Sequence, residues 1–145
     1  MSDVINGKPS TNFWIIAWAA LAWNLLGLVI YVGQVSMSPE AMTQFTEAQQ
    51  EFFMSTPSWS NGAWAIAVNA GLFGSLLLLL RKAWAIPMYA LSLAAIVVQD
   101  VETFVLRDAY GLLGINSLII PSMVFVIAVA LLLYSRTAKS AGWLS

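Results

Sequence analysis

The chain has no histidine and no cysteine, so the commonest general base, the commonest metal ligand and any thiolate nucleophile are missing. Its chemistry must come from amides, carboxylates, hydroxyls and indoles. Those able to act at depth are few: Trp23, Asn24, Asn69, Ser92, Gln99 and Glu102 form the candidate ligand-binding set. Trp23 offers a stacking face, Asn24, Asn69, Gln99 and Ser92 offer hydrogen bonds, and Glu102 offers a carboxylate. Asn24 and Asn69 each lie about 15 Å inside a long apolar run at 1.5 Å per residue, which puts both near mid-depth. A plainer reading of the same residues stays open. Two amides at one depth on consecutive antiparallel helices can bond each other as a clamp, worth about 0.6 kcal/mol, and Trp23 can be bulk packing.

Asp100 and Glu102 fall near the outer end of their run. On a helical wheel Met88, Ser92, Ala95, Gln99 and Glu102 share one side, whereas Asp100 lies about 200° from Glu102. Glu102 is therefore expected to face a helix bundle and Asp100 its rim, with Arg107 leaning back to pair with Asp100 or Thr103. One inward carboxylate without a partner acid, base or metal cannot run hydrolysis. The sequence also lacks a glycine-rich phosphate loop, a nucleophile elbow and a carboxylate pair on one helical face. These residues point to binding instead of catalysis, with no cofactor and no metal.

The elements that must position them are transmembrane helices. Of 145 residues, 60% are hydrophobic and only 9% are charged, a balance foreign to a soluble domain of this length. Apolar runs at about Phe13–Val35, Trp59–Leu80, Ala83–Leu106 and Ile115–Tyr134 are each long enough to cross a bilayer. The expected fold is an all-α integral membrane four-helix bundle, a single domain over 1–145. Lys8, Arg81, Lys82, Arg136 and Lys139 mark one end and Arg107 alone the other, so both termini are expected in the cytoplasm. A net charge of −1 argues against nucleic acid as a partner.

Within the second run Ala63, Ala67, Gly71 and Ser75 recur every four residues, the spacing of a close-packing seam in a membrane. Met1 to Thr11 are polar and read as loosely ordered. The connection Ser36–Ser58 carries Ser38-Pro39-Glu40, a helix start with cap, proline and acid in order. It predicts one short amphipathic helix over 39–54, lying at the interface or closing the bundle's outer mouth as a lid. Pro121 is expected to bend the fourth helix. The tail with Trp143-Leu144 reads as an anchor at the inner surface.

Trp23-Asn24-Leu25-Leu26-Gly27, Met37-Ser38-Pro39-Glu40, Arg81-Lys82-Ala83-Trp84-Ala85-Ile86-Pro87, Leu91-Ser92-Leu93, Val98-Gln99 and Gly142-Trp143-Leu144 resemble a family of small four-helix bacterial inner-membrane proteins, loosely labelled sugar transporters. The resemblance covers nearly the whole chain. It implies a bacterial inner-membrane location. That family is usually uncharged where Asp100 and Glu102 stand, so Asn24, Gln99 and the Ser38-Pro39-Glu40 cap are the positions it favours. The expected function is binding of a small polar solute, sugar-like, or of a lipid headgroup from the periplasmic side, with transport requiring an oligomer. The alternative is a non-catalytic accessory subunit or assembly factor packing through its small-residue ladder on a larger membrane protein. In either case the bilayer is a partner.

Overall fold

A computed structural model describes residues 7–145; the polar lead-in over 1–6 lies outside the described residues. The described chain is all-helical. Helix α1 spans Thr11–Val35 and is capped by Ser10, whose hydroxyl accepts from the Phe13 N–H at 3.3 Å. Two short helices follow, α2 (Pro39–Met42) and α3 (Glu47–Met54), then α4 (Ser58–Leu79) and α5 (Ala85–Asp100). After α5 the chain continues as a π-helical segment, Val101–Leu106, then α6 (Ala109–Leu113), a 3₁₀ turn at Ile115–Leu118, and α7 (Ile119–Ser140). Four stretches are long and apolar enough to cross a membrane, Thr11–Val35, Ser58–Leu79, Ala85–Leu106 and Ile115–Ser140. This is the architecture of a multi-pass membrane protein.

Packing follows the small residues. Helix α4 sits between α1 and α5, and α7 packs on the far side of α5. Ala63, Ala67, Gly71 and Ser75 are all buried along α4, with Ala70 and Gly74 beside them. Close backbone approach is the means by which helices associate where lipid is as apolar as leucine. Outside the seams the surface is greasy: Ile15, Trp18, Val29, Phe73, Val105 and Leu133 are all exposed, as a lipid-facing surface requires.

The two ends of the bundle differ. The end carrying Gly7, the C-terminal residues and the α4–α5 turn, here the terminal end, holds the continuous core of Phe13, Ala17, Leu78, Ala85, Tyr89, Leu131, Ala138 and Leu144. The other end, here the loop end, carries α2, α3 and α6.

Three sequence expectations are corrected by the structure. The single amphipathic helix over 39–54 is two helices, because Thr46 and Gln49 form a capping box that starts α3 afresh. Pro121 lies in the first turn of α7, where its missing N–H is harmless, and the helix reaches its length by running on past Tyr134 to Ser140. Beyond Ser140, Gly142 (φ 77°) closes a Schellman turn in which Trp143 N–H reaches Ala138 O at 3.0 Å. The tail then turns back into the protein instead of anchoring on a surface. Leu144 is buried and Trp143 packs edge-on against Phe13 at 5.7 Å.

What holds the tail is an arginine in an unusual place. Helix α4 also ends in a Schellman turn, with Lys82 N–H on Leu77 O at 2.8 Å, and the left-handed position is taken by Arg81 (φ 57°) where glycine is the norm. Its guanidinium donates to Trp143 O and Gly7 O, both at 2.9 Å, and its carbonyl accepts from Ser145 N–H at 2.9 Å. Arg81 thus ties Gly7 and the C-terminal residues to one turn.

Candidate functional site

Between the core of the terminal end and the short helices of the loop end lies a cavity of about 420 Å³ lined by all four spans. Its walls are mostly apolar, with Leu26, Ile30, Val68, Ile96, Val124 and Ile127 among them. Helices α1 and α7 face one another across it, and their clearest contact is at the terminal end, where Phe13 stacks on Tyr134 at 6.4 Å. Leu26 and Ile30 on α1 and Ile120 and Met123 on α7 line the cavity and are also exposed on the outer surface. The cavity is therefore a cleft open sideways along the α1–α7 seam.

The floor of the cleft is a hydrogen-bonded knot joining three spans. Asn24 Nδ2 donates to Ala20 O at 2.9 Å and to Ser75 Oγ at 3.0 Å. Ser75 Oγ donates to Gly71 O at 3.0 Å, and with its one proton committed it accepts from the Tyr89 hydroxyl at 2.9 Å. Ser92 Oγ, one turn on from Tyr89, donates to Ala67 O at 2.7 Å. The glycines of α4 make this possible. A Cβ on Gly71 would collide with the Asn24 carboxamide, and one on Gly74 would press on the Tyr89 ring at 3.0 Å.

This arrangement replaces the expected Asn24–Asn69 clamp. Asn69 is exposed on the far face of α4 and donates back to Ala65 O at 2.8 Å within its own helix. Such back-bonding is how a lone amide on a lipid-facing surface satisfies its donor. Trp23, Asn24, Ser92 and Gln99 do line one cavity, so four of the six candidate residues are brought together. Asn69 and Glu102 are not in that lining.

Glu102 belongs to a second constellation at the mouth. It is 1% exposed and accepts from Ser60 Oγ at 2.8 Å and from Thr103 Oγ1 at 3.3 Å. Arg107 forms an ion pair with it through Nε, correcting the expected pairing with Asp100 or Thr103. The π-helical segment explains the pairing. Residues five apart lie about 140° apart on an α-helix. In a π turn, here closed by Arg107 N–H to Glu102 O at 3.0 Å, they become neighbours on one face. The same guanidinium donates through Nη1 to Phe52 O at 2.7 Å and to Ser55 Oγ at 3.3 Å, and lies over the Phe52 ring at 3.8 Å. One arginine thus latches α3 to the π-helical segment, a cation at a helix C-terminus being favourable in its own right.

No family model, no curated protein and no solved structure matches this chain. The geometry alone must carry the reading. The site residues that sequence reasoning missed are Tyr89, Ser75 as a polar hub, Ser60 and Arg107. Tyr89 had a signal, since it lies one helical turn before Ser92 and opposite the glycines of α4. Ser60 had none, because its value depends on a carboxylate 42 residues away. Chemically, the cleft offers apolar walls, aromatic faces from Trp23, Trp64 and Phe53, and polar groups gathered toward the loop end from Gln34, Asn61, Gln99, Asp100 and Thr103.

Proposed function

We propose that this protein is a non-catalytic binder of an amphiphile, taken up through the α1–α7 seam with its headgroup at the loop end and its apolar portion between the walls below. Of the two ligand classes expected from sequence, sugar-like solute and lipid headgroup, the second is the better supported. The observation that carries it is the lining itself. A cavity of about 420 Å³ with predominantly apolar walls, open sideways between two lipid-facing helices, suits a molecule that is already in the bilayer. A sugar needs hydrogen bonds on every face, and most of these walls supply none.

In this reading the loop end faces the periplasm of a bacterial inner membrane and both termini are cytoplasmic. Every lysine and arginine except Arg107 lies at the terminal end, the distribution expected of the cytoplasmic side. The terminal end is closed by the Phe13–Leu144 core, so one chain offers a binding site and not a through-path. The small-residue ladder of α4, on which an accessory-subunit reading rested, is used inside the chain by α1 and α5.

The test is native mass spectrometry of the protein released from phospholipid nanodiscs. Wild type is expected to retain lipid, and Ala128→Trp, which fills the cleft from α7, is expected to release it. Equal retention by both would overturn the proposal.

A further inference from the structure

Asp100 is the ionisable group at the mouth that the latch leaves unused. It sits at the last turn of α5, half-buried, lining the cleft on one side and on the other a groove formed with Phe104, Leu118, Pro121 and Phe125. Among the described residues no cation pairs with it: the one described salt bridge joins Arg107 to Glu102. Arg107 cannot serve both acids, because Nε and Nη2 address Glu102 while Nη1 is held by Phe52 O and Ser55 Oγ. The Glu102–Arg107 pair is self-neutralising, so the charge facing the cleft is that of Asp100.

The surroundings point the same way. Glu40, Glu47, Glu51 and Asp108 also lie at the loop end, so this end draws cations toward the mouth. Inside it, Trp23, Trp64 and Phe53 contribute aromatic faces to the lining. A carboxylate that shares an apolar-walled cleft with aromatic side chains suits an organic cation, through charge and through cation–π contact.

Building on the amphiphile-cleft reading, we propose that the ligand is an amphiphile whose headgroup carries an ammonium or similar organic cation, with Asp100 as the carboxylate that recognises that cation. That chemistry has two sources, the amine headgroup of a phosphatidylethanolamine or a free lipophilic cation. A site for an anionic headgroup would have to place a free cation at the mouth, and Arg107, the one lysine or arginine at the loop end, is already committed.

The experiment uses the full chain in dodecyl maltoside and two radiolabelled probes of matched shape and opposite charge, tetraphenylphosphonium and tetraphenylborate. Wild type is expected to bind the phosphonium saturably and the borate at least about tenfold more weakly, one charge contact of this kind being worth a decade or more. Asp100→Asn should lose that preference, Asp100→Glu should keep it, and Glu51→Gln, outside the cleft, should change nothing. Native mass spectrometry from discs of mixed phosphatidylethanolamine and phosphatidylglycerol separates the sources. Enrichment of phosphatidylethanolamine in wild type but not in Asp100→Asn assigns the lipid, and phosphonium binding without such enrichment assigns a free cation. Equal affinity for both probes, or unchanged preference in Asp100→Asn, overturns the role of Asp100 while leaving the cleft reading intact. Binding of neither probe together with no retained lipid overturns both.

Discussion

At Gly71 a single hydrogen atom decides whether three helices can meet. The Asn24 carboxamide occupies the space a side chain would need, and Asn24 in turn donates to Ser75. Gly71→Ala is therefore expected to destabilise the protein by about 1–3 kcal/mol, the usual cost of overpacking, despite alanine's better helix propensity of about 1 kcal/mol. Thermal unfolding in detergent, followed by circular dichroism, checks the sign. The Glu102–Arg107 pair allows a second test at this scale. Removing one partner leaves the other charged and poorly solvated, so Glu102→Leu and Arg107→Leu should each cost about 3 kcal/mol or more. The double variant should cost clearly less than both together, and a double-mutant cycle measures the difference. A strictly additive result would sink the claim that they act as a pair. That Glu102 turns inward was legible from its helical face, shared with Ser92 and Ala95. Its partner was not, because an α-helical wheel cannot foresee a π turn that moves Arg107 round the axis.

Among the elements, the α4–α5 turn shows two opposing effects whose magnitudes can be compared. A left-handed backbone at Arg81 costs roughly 1–2 kcal/mol relative to glycine. Its side chain returns two charge-assisted hydrogen bonds, each typically about 1.5–3 kcal/mol, to Trp143 O and Gly7 O. The bonds outweigh the strain. Arg81→Gly should therefore free the tail despite relaxing the backbone, and hydrogen exchange of the Trp143 and Ser145 amides should rise; unchanged protection would show that the tail is held by Leu144 burial alone. At the other end, Thr46→Ala removes one half of the capping box that separates α3 from α2. A loss of about 1 kcal/mol is expected locally, seen as faster exchange across Glu47–Met54 with the four spans unaffected. The Thr46-to-Gln49 signature was present in the sequence, and the amphipathic pattern running through it from Ala41 to Phe53 masked the break. Periodicity records which face is apolar and is blind to a helix that stops and restarts in phase.

For the whole molecule, the separation of charge predicts an orientation. All cations but Arg107 stand at the terminal end, and the acids Glu40, Glu47, Glu51, Asp100, Glu102 and Asp108 at the loop end. The absence of cysteine makes this easy to examine. In intact bacterial cells a membrane-impermeant maleimide is expected to label Ser38→Cys and to leave Ser140→Cys unlabelled until the cells are opened; the reverse pattern would invert the proposed topology. The same division of labour between ends accounts for the architecture, with the terminal end packed solid around Phe13 and Tyr89 and the loop end left open enough for a cleft.

The residues alone determined the four spans, the small-residue seam of α4 and the inward face shared by Ser92, Gln99 and Glu102. Each of these depends on local composition and helical period, which a linear chain carries in full. Only the tertiary structure decided that Asn24 bonds Ser75 and not Asn69, that Arg107 pairs with Glu102, that the tail folds back onto Arg81, and that Asp100 lines the cleft with no cation paired to it among the described residues. Those outcomes depend on the rotation of one helix against another and on where a helix changes its winding. A shift of about 100° per residue turns a neighbour into a lipid-facing side chain, and no spacing read along one chain segment contains that angle.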